Sequence, residues 1–234
     1  MKTTPLLLLP GLLCDDALWQ HQIKALKGVA ECHVADLSQQ ETMAGMAVAA
    51  LAKAPAKFAL AGLSMGGYVA FEIMRQAPER VTKLCLLDTS ARPDGPEQQH
   101  KRQLFISMSK AGQFKGVTPR LLPMLIHTSR LKDAELTDII YGMAGRIGRD
   151  GFIRQQTAIM NRADSRPLLP SIKVPTQVIC GHEDALPPPD VMREIADGIK
   201  EAQFKIIPDC GHLSPLERPE IVTETMKTWL AASG

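Results

Sequence analysis

One serine, framed by glycines, constrains the fold of this chain more than any other feature. Residues 62–66 read GLSMG, and the apolar run Phe58–Gly62 leads into them. The helical pattern Met65–Gln76 begins directly afterwards. A strand that turns into a helix this tightly strains its middle residue, and only glycine leaves room two positions before and after it. The string predicts that Ser64 projects above the carboxyl edge of a sheet, although a capping serine in a glycine-rich turn would give the same letters.

Short apolar runs alternate with helical patterns along most of the chain. The runs predicted as strands are Thr4–Leu9, Glu31–Leu37, Phe58–Gly62, Lys83–Leu87, Thr176–Cys180 and Phe204–Ile207. Apolar runs of this length are typical of strands covered on both faces, as in a parallel sheet. The helical patterns are Ala17–Lys27, Thr42–Lys53, Met65–Gln76, Pro189–Lys200 and Pro219–Ala232. The alternation predicts an α/β fold in which a mostly parallel sheet is flanked by helices.

Residues 92–171 interrupt this alternation, because they contain no convincing strand. Their patterns are helical and cover His100–Ala111, Thr118–His127 with a kink at Pro123, Asp133–Arg146 and Asp150–Asn161. A helical stretch between two strands of one sheet is typical of an insertion over the sheet edge. We therefore predict a core formed by residues 1–91 and 172–234, with an inserted helical cap at residues 92–171.

Composition and charge exclude several classes of protein. Of the 234 residues, 45% are apolar and 22% are charged, which is typical of a folded domain and not of a disordered chain. The formal charge is +2 and the basic residues are scattered, so we predict no nucleic-acid partner and no membrane partner. Five cysteines without a C-x-x-C spacing argue against a disulfide framework and a structural zinc site. A cytoplasmic location is the simplest expectation.

The leucines near the N-terminus could be mistaken for an export signal. Lys2 precedes four leucines at residues 6–9, but Pro10 and Gly11 interrupt the run and no small-residue cleavage site follows. No apolar run approaches the ~20 residues that a membrane span needs. We interpret this segment as a buried strand.

Two further residues are predicted to act together with Ser64. A serine hydroxyl is a poor nucleophile unless a base takes its proton. His212 stands just after the run Phe204–Ile207, at the edge where Ser64 is expected. Asp184 follows the run Thr176–Cys180 and would reach the same edge, where it could orient the imidazole. We predict Ser64 as the nucleophile, His212 as the base and Asp184 as the acid.

Three alternatives use neighbouring residues. His182 also follows a strand, but it leaves no later strand to supply an acid in the order Ser, Asp, His. Asp88 ends the run Lys83–Leu87 and is a second carboxylate at that edge. His182, Asp184, Asp209 and His212 could form a metal site, but a serine aimed at the same place explains them better. We predict no metal and no cofactor.

Backbone N–H groups should stabilise the negative charge that develops on an attacked carbonyl oxygen. Met65, directly after the serine, would supply one of them. Leu12 would supply the other, because Pro10 has no N–H and Gly11 lets the chain turn. A plain Pro-Gly turn is the alternative for this segment.

The pocket over Ser64 is expected to be apolar. Leu13 flanks the predicted oxyanion donors, and Met108 and Met124 come from the predicted cap, where filling the core is their alternative role. The arginines of the cap that we weighed are Arg120, Arg130, Arg146 and Arg154, and we expect them on solvated helix faces. Such a pocket offers no fixed cation, so it predicts a preference for apolar acyl groups of modest size.

Four stretches together resemble the α/β-hydrolase family. They are LLLLPGLLCDDALW at residues 6–19, AGLSMGGYVAFE at 61–72, IKVPTQVICGHED at 172–184 and PDCGHLSPLERP at 208–219. The order Ser64, Asp184, His212 is the order of the family. The resemblance implies an eight-stranded, mostly parallel sheet with a helical cap after the sixth strand. Thr4–Leu9 resembles the third strand of the family, so the first strands are expected to be missing here.

The resemblance implies a serine hydrolase that cleaves carboxylic esters through an acyl-enzyme intermediate, with a small-molecule ester as its partner. A serine nucleophile argues against haloalkane dehalogenases, which use aspartate. Lactonases, carbon–carbon bond hydrolases, perhydrolases and acyltransferases remain open, because they share the same triad. Cys14, Asp15 and Trp19 are also similar to residues of hydrolase-like receptors for small lactones, which turn over little substrate. Monomer and homodimer are both open.

Overall fold

A computed structural model describes residues 3–232 of the chain. One sheet forms its centre, and its strands are β1 Thr4–Leu9, β2 Ala30–Val34, β3 Phe58–Leu63, β4 Val81–Leu87, β5 Thr176–Gly181 and β6 Gln203–Ile207. The spatial order is β2-β1-β3-β4-β5-β6, and all neighbouring strands are parallel. The predicted α/β fold is confirmed. The sheet has six strands in the described residues, fewer than the eight of the family, in line with the expectation that the first strands are missing.

Helices cover both faces of this sheet. They are α1 Gln20–Ala25, α2 Met43–Lys53, α3 Met65–Gln76, α4 Pro96–Met108, α5 Leu122–Leu125, α6 Ala134–Met160, α7 Pro189–Gly198, α8 Ser214–Glu217 and α9 Pro219–Ala231. Alternate residues of β1 show the two layers, because Leu7 and Leu9 pack in one apolar cluster and Leu6 and Leu8 pack in the other. The leucine run is therefore apolar throughout because both of its faces are buried.

The parallel arrangement places every strand end that carries a predicted site residue at one edge of the sheet. Ser64 follows β3 directly, and its N–H donates to the carbonyl of Leu87 at the end of β4 (2.9 Å). Asp184 lies three residues after β5, and His212 lies five residues after β6. The topology alone thus brings these three residues, from different parts of the chain, to the same edge.

The segment between β4 and β5 is helical, and the structure describes no strand in residues 92–171. The predicted helix at Thr118–His127 is wrong, since only Leu122–Leu125 is helical and Pro123 lies in its first turn. The predicted break between Asp133–Arg146 and Asp150–Asn161 is present at Gly148, whose φ is 68°. The boundaries of the cap at residues 92 and 171 stay a prediction.

Other element boundaries shift by a few residues. The pattern predicted as Ala17–Lys27 is a 3₁₀ turn at Asp16–Trp19 followed by α1. The strand β2 ends at Val34, three residues before the predicted end. In residues 3–232, no helix is both long enough and apolar enough to cross a membrane.

Candidate active site

Ser64 stands in a turn that has no room for side chains on either flank. Its φ is 54° and its ψ is −115°, a strained conformation for a non-glycine residue. A Cβ atom on Gly62 would lie 2.4 Å from the carbonyl oxygen of Gly66, and a Cβ on Gly66 would lie 2.1 Å from that of Leu9. The Thr89 hydroxyl donates to the Ser64 carbonyl (2.7 Å) and helps to hold the turn. The glycines are therefore required by close packing against the neighbouring backbone.

A continuous hydrogen-bonded chain joins the three residues predicted to act together. His212 Nε2 lies 2.8 Å from Ser64 Oγ, and His212 Nδ1 lies 2.8 Å from Asp184 Oδ2. The side chain of His212 is 5% exposed and that of Asp184 is fully buried. An ionised carboxylate can only accept a hydrogen bond, so Nδ1 donates to Asp184 and Nε2 is left to accept the Ser64 proton.

The negative charges around His212 raise the pKa of its imidazole above the ordinary value. Burial by itself lowers this pKa. The charge of Asp184 and its hydrogen bond to Nδ1 act in the opposite direction, and the charges of Asp88 and Glu217 add to them. The net direction is upward, so His212 holds its proton to a higher pH than a free histidine does.

Asp88 and His182, the alternative acid and base, form hydrogen bonds with other residues. Asp88 is buried and accepts hydrogen bonds from the Gly181 N–H (2.8 Å) and from the Ser214 hydroxyl. Burial, and then repulsion by the charge of Asp184, raise the pKa of Asp88. His182 is largely exposed and pairs with Glu183 (2.8 Å). Neither residue hydrogen-bonds to Ser64 or His212 in the described part of the chain.

A buried glutamate positions the loop that carries His212. Glu217 accepts from the Gly211 N–H (2.9 Å) and from the His127 N–H (2.6 Å). The Leu125 carbonyl accepts from the N–H of His212 itself (3.1 Å). Burial raises the pKa of Glu217, against the effect of these hydrogen bonds. Sequence reasoning missed Glu217, because a glutamate in a proline-flanked turn carries no distinctive spacing.

The two predicted oxyanion donors, the backbone N–H groups of Leu12 and Met65, have no acceptor in the described part of the chain, residues 3–232. The next N–H, that of Leu13, is taken by Gln155 Oε1 (3.0 Å), and Leu13 has a φ of 59°. Gln155 is fully buried and was missed from the sequence, because it lies far away on α6. Its hydrogen bond fixes the turn that carries Leu12.

Ser64 and His212 border a cavity of about 1190 Å³. The three predicted pocket residues also line it; they are Leu13, Met108 and Met124. Many other lining side chains come from residues 92–171, including Phe105, Leu121 and Phe114. The large volume leaves room for a substrate that extends well beyond the reacting carbonyl.

The expectation of a cavity without a fixed cation is wrong. Arg102 and Arg162 line the cavity, and both are held by the buried carboxylate of Asp94. Of the four arginines weighed from the sequence, only Arg120 borders the cavity. Arg146, by contrast, pairs with Asp15. Arg102 and Arg162 were missed because their approach depends on how α4 packs against the end of α6.

One group in the described residues could hold a metal by distance alone. Ligand atoms of His127, Glu183 and Asp209 lie within 4.8 Å of one another. This is a different set from the one weighed in the sequence. His127 Nδ1 already lies 2.8 Å from the Ser129 hydroxyl, and Glu183 pairs with His182. The absence of a metal from the function stays a prediction.

Known proteins resemble this chain over most of its length. The match to a family described as the alpha/beta hydrolase family covers residues 6–225. A thermophilic esterase from Thermogutta terrifontis is similar in structure, with a TM-score of 0.89 and 32% sequence identity over 98% of this chain and 90% of that one.

Two curated relatives have different names. A putative non-heme bromoperoxidase from Mycobacterium tuberculosis is 30% identical over 184 residues, which are 76% of this chain and 69% of the relative. A pimeloyl-[acyl-carrier protein] methyl ester esterase from Neisseria meningitidis is 28% identical over 180 residues, with 74% and 69% covered. Because the family match spans nearly the whole chain and agrees with the sheet topology, this chain belongs to the α/β hydrolase family.

Proposed function

We propose that this hydrolase cleaves small-molecule carboxylic esters through an acyl-enzyme intermediate. The observation that carries the proposal is the hydrogen-bonded chain from Ser64 through His212 to Asp184, with both contacts at 2.8 Å. Two features support it further. The cavity gives a substrate access to Ser64, and within residues 3–232 the N–H groups of Leu12 and Met65 have no acceptor.

In the acylation step, His212 Nε2 takes the proton of Ser64 as Oγ attacks the ester carbonyl carbon. The negative charge that moves to the carbonyl oxygen is stabilised by hydrogen bonds from the N–H groups of Leu12 and Met65. Asp184 stabilises the imidazolium that forms and keeps its orientation. His212 then gives the proton to the leaving alcohol oxygen, and an ester between Ser64 and the acyl group remains.

Water completes the cycle by the same route. His212 removes a proton from a water molecule as its oxygen attacks the acyl carbon of the intermediate. The charge again develops on the carbonyl oxygen and is again stabilised by the two backbone donors. When the bond to Ser64 Oγ breaks, His212 returns the proton to that oxygen, and the carboxylic acid leaves.

The names of two relatives support ester cleavage in particular. One similar structure is that of an esterase, and a curated relative is named as a methyl ester esterase. A panel of p-nitrophenyl esters and lactones, combined with labelling by a fluorophosphonate, tests the proposal. Labelling of Ser64 with no turnover of any ester would favour the receptor alternative. Esters formed with added alcohols, or thioesters formed with added thiols, would favour an acyltransferase.

The pH dependence of kcat/KM should follow the protonation of His212. The base must be neutral to accept the Ser64 proton, and its pKa is raised. Activity should therefore fall as pH decreases, along a single-proton limb whose midpoint lies above the value of about 6.5 for an unperturbed histidine. The measurement is kcat/KM for an uncharged ester between roughly pH 5 and pH 9. A midpoint at or below the unperturbed value would contradict the raised pKa of His212.

We also propose that residues 92–171 act as the cap that sets acyl preference. Met108 and Met124 line the cavity. Each buried methylene contributes about 0.8 kcal/mol, so kcat/KM should rise several-fold from acetyl to butyryl esters. Met108→Ala and Met124→Ala should move the optimum to longer acyl chains, whereas Val48→Ala, on the exposed face of α2, should not. An identical acyl profile in all four proteins would contradict the role of the cap.

A further inference from the structure

One wall of the cavity carries a charged cluster that ester cleavage at Ser64 does not use. Asp94 lies at its centre and is fully buried as a side chain. Its two carboxylate oxygens accept hydrogen bonds from Arg102 Nε and from Arg162 Nη1. Arg102 Nη1 also donates to Gln156 Oε1 (2.7 Å), and the Arg162 guanidinium stacks 4.3 Å above the Tyr68 ring. We call Asp94, Arg102, Gln156 and Arg162 the arginine corner.

The arginine corner has hydrogen-bond donors left over. In the described residues, no acceptor pairs with Nη2 of Arg102 or of Arg162. Because Gln156 Oε1 faces a guanidinium, its amide nitrogen points away from Arg102, and this nitrogen also has no acceptor there. All three side chains line the cavity. The corner therefore presents donors, and no free acceptor, to whatever occupies the cavity.

The arginine corner also carries an excess of positive charge. Two arginines share one aspartate, which leaves one net positive charge, and Arg162 is only 6% exposed. Among residues 3–232, no aspartate or glutamate lines the cavity, whereas Arg92, Lys115 and Arg120 add cationic side chains to its wall. Of these three, Arg92 is neutralised by Glu194. A buried positive charge without a partner is costly, so a bound anion would be favoured there.

Tyr68 connects the corner to the helix that follows the nucleophile. It stands four residues after Ser64 on α3, or about 6 Å along the helix axis, and the Arg162 guanidinium lies 4.3 Å from its ring. An anionic group bound by Arg102 and Arg162 would belong to a part of the substrate several bonds from the attacked carbonyl. A single net positive charge matches a carboxylate better than a doubly charged phosphate.

We propose that the arginine corner binds a carboxylate of the substrate, so that the preferred substrates are esters or lactones with a second, ionised carboxyl group. This inference rests on the proposed function of Ser64. It predicts a selectivity that the apolar part of the cavity does not supply. Two substrates of equal chain length, one ending in a carboxylate and one in a methyl group, would differ only in the group that contacts Arg102, Gln156 and Arg162.

Matched substrates test the inference by kinetics. Monomethyl adipate carries a carboxylate where methyl hexanoate carries a methyl group. The pair 4-acetoxybutanoate and butyl acetate places the same difference on the alcohol side. We expect kcat/KM to favour the carboxylate member at least tenfold in one of the two pairs. No preference in either pair would overturn the proposal.

Two substitutions test whether the preference resides in the corner. Arg102→Gln removes one cation at a position that is 21% exposed, where the fold tolerates the change better than at Arg162. Gln156→Glu keeps an acceptor for Arg102 and places a negative charge where the ligand carboxylate would bind. Both should reduce the preference about tenfold or more. Arg166→Gln, at an exposed arginine that pairs with Asp164, is the matched control and should leave the preference unchanged.

Calorimetry on Ser64→Ala separates this inference from the proposed function. Monomethyl adipate should bind this variant, and adding Arg102→Gln should weaken binding at least tenfold. Equal binding with and without Arg102 would overturn the corner and leave ester cleavage standing. If the wild-type protein hydrolyses no ester, the proposed function fails, while the binding of monomethyl adipate still decides the corner. Circular dichroism melts of each variant identify any loss that comes from unfolding.

Discussion

Ser64→Ala is expected to lower ester hydrolysis by about 10⁴-fold or more and to abolish labelling by a fluorophosphonate. In the proposed mechanism the three residues act as a unit, so the loss of the nucleophile would remove the covalent route entirely. The only atom removed is Oγ, which lies 2.8 Å from His212 Nε2. The measurements are kcat/KM for a p-nitrophenyl ester and the extent of labelling detected by mass spectrometry.

The fold should tolerate this change. The hydrogen bonds that hold the strained turn use the backbone of Ser64, whose N–H bonds to Leu87 and whose carbonyl bonds to Thr89. Alanine keeps both, so the thermal melting midpoint should stay close to that of the wild type. Ser90→Ala, at another serine that lines the cavity, is the matched control. This variant should still be labelled by the fluorophosphonate at Ser64. Retention of more than a tenth of the activity in Ser64→Ala would contradict the assignment of the nucleophile.

Asp184→Asn is expected to lower kcat by roughly 10³- to 10⁴-fold while substrate binding is retained. An asparagine can still accept from the Leu186 N–H, which now donates to Asp184 Oδ1 (2.8 Å). If the amide nitrogen of the asparagine faces His212, it donates a hydrogen bond to Nδ1. Nδ1 then acts as an acceptor, and the imidazole proton moves to Nε2. Nε2 then cannot take the proton of Ser64. The measurement is kcat and KM for the same ester in the variant and the wild type.

Asp88→Asn is the comparison that identifies the acid. Asp88 holds the Gly181 N–H and the Ser214 hydroxyl, and an amide side chain can satisfy both. Its charge acts on His212 only through space, so we expect a loss of less than about tenfold. A larger loss in Asp88→Asn than in Asp184→Asn, with both proteins folded, would mean that the acid has been assigned to the wrong carboxylate.

The strands were predictable because their signal is local. The run Thr4–Leu9 is a strand with the predicted boundaries, since both of its faces are buried and every residue from Leu6 onward is apolar. At β4 the prediction began at Lys83, whereas the strand begins at Val81. Thr82 is exposed and Lys83 is partly exposed at the end of the sheet, so the apolar run is shorter than the strand.

The failed helix at Thr118–His127 has a tertiary cause. Its apolar spacing is helical, but Pro123 has no N–H to donate. The carbonyl of Leu125, which a longer helix would pair with its own next turn, accepts from the N–H groups of His212 and Leu213 instead. This segment therefore gives up helical hydrogen bonds in order to hold the loop of the catalytic base that we propose.

From the sequence by itself we could predict the α/β fold and the meeting of Ser64, Asp184 and His212 at one edge of the sheet. These depend on strand ends and on glycine spacing, which are local, and a parallel sheet brings its strand ends to one edge. Only the tertiary structure decided the supporting contacts. Leu13 and Gln155 are 142 residues apart, and Asp94 meets Arg162 across 68 residues. Any buried donor could pair with many acceptors along the chain, and the packing of the helices between β4 and β5 selects one of them.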